Sequence, residues 1–142
     1  MTIAAILARK GNEVVSVETG SLVKDAISKL ARHRIGALPI MAGEEARGIL
    51  SERDIIYCLE SHGREVLDWP VDKIMTSPPL TVTPDVPVIV ALSQMSARRI
   101  RHLPVIDGNR VVGFVSIGDL VAHRIRGIEQ DVDLMRAYIQ SS

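Results

Sequence analysis

The chain repeats itself. Shifted by 65 residues, it aligns with itself without a gap over positions 17 to 54, and 12 of those 38 positions are identical. Pro39 falls on Pro104, Gly48 on Gly113, Ser51 on Ser116 and Asp54 on Asp119. In the same register Val17, Val23, Ala26, Ser28, Arg34, Ile35, Leu38 and Gly43 meet Val82, Val88, Ala91, Ser93, Arg99, Ile100, Leu103 and Gly108. Ordinary usage gives chance identity of roughly one in fifteen, so coincidence does not account for the match. The 142 residues therefore hold two copies of one small unit, and whatever the unit folds into must be built twice.

Each copy reads as strand, helix, strand, strand, helix. In the first, Val14 to Val17 is a short strand signal and Ser21 is placed to cap a helix running to about Arg34. Leu22, Ala26, Ile27, Leu30 and Ala31 have helical spacing along it. Ala37 to Met41 and Arg47 to Leu50 read as strands around a Gly43-Glu44-Glu45 turn, and Ser51 starts a helix to about His62. In the second copy Leu80 to Val82 is a strand, and Pro87 opens a helix to about Arg99. Strands at Leu103 to Ile106 and Val111 to Val115 flank an Asp107-Gly108-Asn109 turn, before a last helix from Ser116. This predicts an α+β (α/β) fold of two tandem βαββα units. Neither unit can hide its own apolar faces, so the two sheets are expected to pack with pseudo-two-fold symmetry. The expected division is residues 1–65 for the first copy, 66–80 for a linker and lead-in with a helical turn at Val71 to Met75, 80–126 for the second copy, and 127–142 for a C-terminal helix extension.

Composition narrows the function. Aromatic residues are only 3% of the chain, so aliphatic side chains must form the core. Lys+Arg and Asp+Glu balance at 17 each, which gives no overall electrostatic reason to bind nucleic acid. One cysteine, Cys58, allows no internal disulfide and reads as a core thiol, in keeping with a reducing compartment. No apolar run approaches the roughly 20 residues needed to span a bilayer, and the N-terminus has no basic stretch before its apolar start. A cytoplasmic protein without a membrane partner is expected.

Two constellations carry chemistry. The first is Gly-h-h-Ser-x-x-Asp, with h apolar, at Gly48 to Asp54 and again at Gly113 to Asp119. A strand runs into a helix capped by serine, and Asp three residues on falls in the first turn, where the helix dipole favours an anion. Capping alone explains this pattern, but capping and binding are compatible: the carboxylate can accept both hydroxyls of a ribose, and a helix N-terminus offers N–H groups to an anion. The second constellation comes earlier in each copy, at Ile35-Gly36-Ala37-Leu38-Pro39-Ile40 and Ile100-Arg101-His102-Leu103-Pro104-Val105. The prolines imply an edge with free backbone groups, which can read an adenine edge between flanking aliphatic side chains.

These motifs (IGALPI, GILSERD, RHLPVID, GFVSIGD), with the linker phrase Val71 to Thr76, resemble those of CBS (cystathionine-β-synthase) domains over roughly residues 3 to 125. The resemblance implies a stand-alone pair with two nucleotide sites in the cleft between its copies, each using both. One would join Ser51, Arg53 and Asp54 to Pro78, Pro79, Leu80, Ile100, Arg101 and His102; the other would join Ser116 and Asp119 to Val14, Ile35, Gly36 and Ala37. The family often places phosphate-binding side chains where Arg101 and His102 stand, and the first copy has uncharged Gly36 and Ala37 there. The Asp54 site is therefore expected to take AMP-like ligands best, arginine being a fixed multi-donor cation. The basic run from Arg98 to His102 has the alternative reading of a solvated helix end, where cations are favourable without a ligand, more so for Arg98 and Arg99 than for Arg101 and His102.

The last helix carries Val121, Ile125, Ile128, Val132, Met135 and Ile139 at heptad-like spacing. Since such pairs commonly form disc-like homodimers, a homodimer through the helices of both copies and this C-terminal helix is expected. There is no H-E-x-x-H, no cysteine pair, no G-x-x-x-x-G-K-[ST] loop and no paired base for Ser51 or Ser116, so no metal site and no catalytic residues are assigned. The sequence thus reads as a non-catalytic sensor that requires no cofactor, binds an AMP-like adenine nucleotide and signals to an unidentified protein partner. NAD(H), ATP or S-adenosylmethionine in the same cleft is the alternative, and an enzyme or nucleic-acid binder is a minor one.

Overall fold

The computed structural model describes residues 1–141, so Ser142 of the expected C-terminal extension lies outside the described residues. The elements in order are α1 (Ile3–Lys10), β1 (Val17–Glu18), α2 (Val23–His33), β2 (Ala37–Ala42), β3 (Glu45–Ser51), α3 (Glu52–His62), two 3₁₀ segments (Gly63–Asp68 and Val71–Lys73), α4 (Val88–Arg98), β4 (His102–Asp107), β5 (Arg110–Ser116) and α5 (Ile117–Ser141). The α+β architecture of two tandem copies is what the repeat implied.

The repeat extends to backbone detail. β2 and β3 pair antiparallel from Ala37↔Ser51 to Ala42↔Glu45, and β4 and β5 from His102↔Ser116 to Asp107↔Arg110. A register irregularity falls at Ile40/Met41 in one and at Val105/Ile106 in the other. Both α2 and α4 end on an arginine in the left-handed region, Arg34 at φ 52° and Arg99 at φ 54°. Such a residue costs about 1–2 kcal/mol when it is not glycine. The Ile35 N–H then donates to the Leu30 carbonyl at 3.1 Å and Ile100 to Met95 at 3.0 Å, closing each helix by the same reversed turn. That turn drives Ile100, Arg101 and His102 straight from the helix end into β4.

The first strands are shorter than expected. β1 covers only Val17–Glu18, parallel to β2, and the expected Leu80–Val82 strand is a single parallel bridge from Val82 to Val105. Ser21 does not cap α2. Its carbonyl instead accepts from the Val71 N–H at 2.8 Å, and Leu22 takes the cap position without a side-chain bond. Tertiary pairing with the linker has displaced the local cap.

There are two separate apolar cores, and each is completed from outside its own repeat. In the first, Val17, Val23, Ala26, Leu30, Leu38, Ile40, Leu50 and Ile55 are joined by Val66 and Val71 of the linker. In the second, Val82, Val88, Ala91, Met95, Leu103, Val105, Val115 and Leu120 are joined by Ile3, Ile6 and Leu7 of α1. The N-terminal helix thus precedes the first copy in sequence but packs in the second, held there by bonds from Ile3 N–H to Val86 O (2.9 Å) and Val88 N–H to Met1 O (3.0 Å). The glycine that opens each strand–helix motif makes these joins possible. A Cβ on Gly48 would lie 2.6 Å from Met75 Sδ and 2.8 Å from the Thr76 carbonyl oxygen, and one on Gly113 would lie 2.5 Å from Leu7 Cδ2. The copies touch where the Val111 N–H of β5 donates to the Glu44 carbonyl at 2.9 Å.

Candidate functional site

Both strand–helix junctions close into reciprocal caps. Ser51 Oγ accepts from the Asp54 N–H at 3.2 Å while Asp54 Oδ2 accepts from the Ser51 N–H at 3.0 Å. The same pair of bonds joins Ser116 and Asp119 at 3.1 and 2.9 Å. Each junction is also tied to the preceding strand's start, Glu52 N–H donating to Gly36 O at 2.9 Å and Ile117 N–H to Arg101 O at 2.8 Å. The serine and aspartate therefore cap, as local chemistry predicts. Each carboxylate still keeps acceptor capacity, because a carboxylate offers about four lone-pair positions.

One of these junctions opens onto a cavity of about 400 Å³ between the copies. All nine residues expected at the first site line it: Ser51, Arg53 and Asp54 from the first copy, and Pro78, Pro79, Leu80, Ile100, Arg101 and His102 from the second. Gly36 and Ala37, expected at the other site, line this same cavity, because Gly36 is bonded to Glu52 and lies against the His102 ring. Val14, Ile35, Ser116 and Asp119 do not line it. Ile35 packs against the first core instead. Five lining residues stood outside the expected set: Ile49, Glu52, Thr76, Arg98 and Arg99. For Arg98 and Arg99 the signal was present in the basic run that ends α4; Thr76 closes the linker phrase Val71 to Thr76, but its place in the lining depends on pairing with Ile49, which no local pattern shows.

The cavity has a polarity. Pro78, Pro79, Leu80 and Ile100 supply apolar walls, Asp54 an acceptor, and the lining holds four basic residues, Arg53, Arg98, Arg99 and Arg101, against one further acidic residue, Glu52. Such a lining suits a ligand with a flat apolar part, a diol and an anionic end. The His102 ring stacks on Phe114 with centroids 5.7 Å apart. Burial lowers its pKa from the ordinary histidine value, and the nearby Lys10 charge adds to the effect.

The second junction is in different company. Lys10 Nζ, at the end of α1, lies 2.7 Å from Asp119 Oδ2 and donates to the Phe114 carbonyl at 2.7 Å. Burial pushes the Asp119 pKa up, but the bonds from Lys10 and Ser116 outweigh it and hold the carboxyl below its usual range. No helix among the described residues is long and apolar enough to cross a membrane.

A family model for the CBS domain matches residues 6–61 and 71–126. Among solved structures, the CBS-domain containing protein ATU1752 from Agrobacterium tumefaciens is similar with a TM-score of 0.84 and 30% identity, over 87% of this chain and 99% of that one. The CBS domain protein PAE2072 from Pyrobaculum aerophilum, solved with AMP, has a TM-score of 0.75 and 28% identity, over 84% and 89% of the two chains. The CBS domain pair of protein MJ0100, in complex with methylthioadenosine and S-adenosyl-L-methionine, has a TM-score of 0.77 and 27% identity, over 91% and 98%.

Proposed function

The chain belongs to the CBS domain family, and from that premise we propose that it is a non-catalytic regulatory module that binds an AMP-like adenine nucleotide in the cavity between its two copies. One observation carries this reading: a single cavity of about 400 Å³ joins the Asp54 carboxylate of one copy to the apolar and cationic wall of the other. Its volume falls in the range of about 300–1,000 Å³ common to small-molecule sites. The aliphatic wall from Pro78 to Leu80, with Ile100, takes the base, Asp54 the ribose hydroxyls, and Arg101 with its neighbours the phosphate. Relatives solved with AMP and with S-adenosylmethionine support the adenosine part. The four arginines favour the phosphate over a sulfonium cation, since arginine binds phosphate through several fixed donors.

Binding across two copies gives the module something to signal. A ligand that fits one relative placement of the copies better than another shifts the population toward it, and a partner protein reads that shift. The same reading makes the chain a cytoplasmic homodimer. Ile56 and Tyr57 on α3, Ile89 and Val90 on α4, and the apolar stripe of α5 are exposed, and a second copy would cover them.

Titration calorimetry with AMP, ATP, NADH and S-adenosylmethionine tests the reading. AMP should bind tightest. Asp54→Ala should weaken it roughly 10- to 100-fold, the size of about 1.5–3 kcal/mol for a hydrogen bond to a charged group, while Asp119→Ala should change it less than about threefold. Each variant loses the carboxylate half of one reciprocal cap and keeps the serine half, and Asp119→Ala loses the Lys10 pair as well, so a melt of each variant accompanies the titration to separate binding from folding. Equal losses would sink the ranking of the two sites, and no binding by any of the four ligands would sink the function.

A further inference from the structure

The two serine–aspartate caps are duplicates 65 residues apart, yet their carboxylates are not equally available. Asp54 lines the open cavity, and among the described residues no ion pair engages it. Asp119 is held by Lys10 at 2.7 Å. Lys10 is delivered by a helix that cannot easily leave: Ile3, Ile6 and Leu7 of α1 are buried in the second core, and Leu7 lies against Gly113 just before the cap. Positioning of the ammonium is therefore already secured by apolar packing, leaving only the lysine side chain to be ordered. The repeat offers no counterpart on the other side. The residue 65 positions after Lys10 is Met75, an uncharged side chain packed on Gly48.

We propose that Lys10 is a built-in competitor for the second ribose position: its ammonium is held on Asp119 Oδ2, the oxygen that also closes the cap, and stands in the approach to that carboxylate, so a nucleoside can bind at Ser116–Asp119 only after the lysine swings out. The inference rests on the adenine-nucleotide reading above, and it explains how a duplicated motif yields unequal sites. An ammonium forms a charge-assisted bond, about twice as strong as a neutral hydroxyl can offer, so the ribose loses a direct contest. The pair is nevertheless releasable. The two side chains are 38% and 27% exposed, so solvent and salt weaken the latch. The Lys10 side chain, and not α1 as a body, is the moving part.

The test uses the full chain with the first site disabled. AMP and adenosine are titrated into Asp54→Ala protein and into the Asp54→Ala, Lys10→Met double variant, with unsubstituted protein alongside. Methionine keeps the aliphatic stem of Lys10 and removes the charge. The expected result is a roughly three- to fivefold gain in adenosine affinity in the double variant, less than a fully buried pair would give. In Asp54→Ala protein that retains Lys10, adenosine, being uncharged, should also bind more tightly as salt is raised; this second readout stands even where the double variant fails to fold. An affinity unchanged within twofold in the double variant, or an adenosine affinity that does not rise with salt, overturns the latch while leaving AMP binding by the unsubstituted protein intact. Absence of binding to the unsubstituted protein overturns both readings.

Discussion

His102 couples the stability of the fold to pH. Its ring is partly buried against Phe114, and its surroundings hold the pKa below the ordinary value, burial first and the Lys10 charge next, against Asp119 and Glu52 pulling the other way. The sign follows from linkage. The unfolded chain takes up this proton near pH 6.5, whereas the folded chain takes it up only at lower pH, so between the two values the unfolded state binds more protons and stability rises with pH. The contribution is present above about pH 6.5 and is lost as pH falls below it. Thermal melts of the ligand-free protein from pH 7.5 down to 5 should show a falling Tm, and His102→Gln should flatten that slope. A variant that keeps the full slope would assign it elsewhere. Asp119 acts in a separate, more acidic window: its lowered pKa adds stability that is present above the normal carboxylate value and is lost as pH falls from there through the lowered folded value. At this scale the sequence was partly readable. The nine residues from Ser51 to His102 could be grouped because their motifs resemble those of the CBS family, whose sites mix the two copies. Lys10 could not be, because it lies outside the register and reaches Asp119 across 109 positions through the packing of a whole helix.

The elements explain why the motif begins with glycine. At both Gly48 and Gly113 a foreign segment crosses the strand too closely for a Cβ, but the obstacles differ. Leu7 meets Gly113 with the ends of its side chain, which can rotate; Thr76 meets Gly48 with its backbone carbonyl, which is fixed by bonds to Ile49 in both directions, at 3.0 and 2.9 Å. Overpacking costs about 1–3 kcal/mol. Gly48→Ala should therefore fall in the upper part of that range and Gly113→Ala in the lower part, read as urea midpoints with unchanged slope. Equal losses would mean that the Thr76 pairing is easily given up. α5 makes the opposite case. Past Ile128 none of its described residues is buried, and Leu134 and Tyr138 are 70% and 72% exposed. Removing residues 129–142 should leave stability of the single chain within about 0.5 kcal/mol while lowering the mass seen by light scattering at low concentration. An unchanged mass would exclude this helix from the proposed dimer contact. The heptad spacing of the stripe was legible in the sequence, since periodicity is local. The exact strand lengths were not, because β1 and Val82 pair with only an interior part of β2 and β4, and which part is set by how the chain crosses the sheet.

At the scale of the whole molecule, the sequence repeat and the folding unit do not coincide. Cutting the chain at residue 65 separates the copies as the sequence divides them, but it leaves each core open. Residues 1–65 lack Val66 and Val71, both fully buried, and carry α1 with no second core to receive it. Residues 66–142 lack Ile3, Ile6 and Leu7. Burying one such side chain contributes about 1.5–3 kcal/mol, so the second half forfeits roughly 5–9 kcal/mol, comparable to the whole 5–15 kcal/mol that keeps a domain folded. Neither half should melt cooperatively by circular dichroism. Mixed, the two halves should recover a cooperative transition, because each brings the segment that the other core needs. A fragment of residues 12–76, which departs from the repeat boundary but holds the first core's own contributors, should be more ordered than residues 1–65. If the two fragments were equally ordered, the cores would be self-sufficient and the crossing segments incidental. The crossing also ties the site to the fold. The linker that closes the first core continues through Thr76 into the wall at Pro78 and Pro79, and the helix that closes the second core ends at Lys10 beside Asp119. A change in how the copies sit therefore moves the cavity wall and the Lys10–Asp119 pair at once.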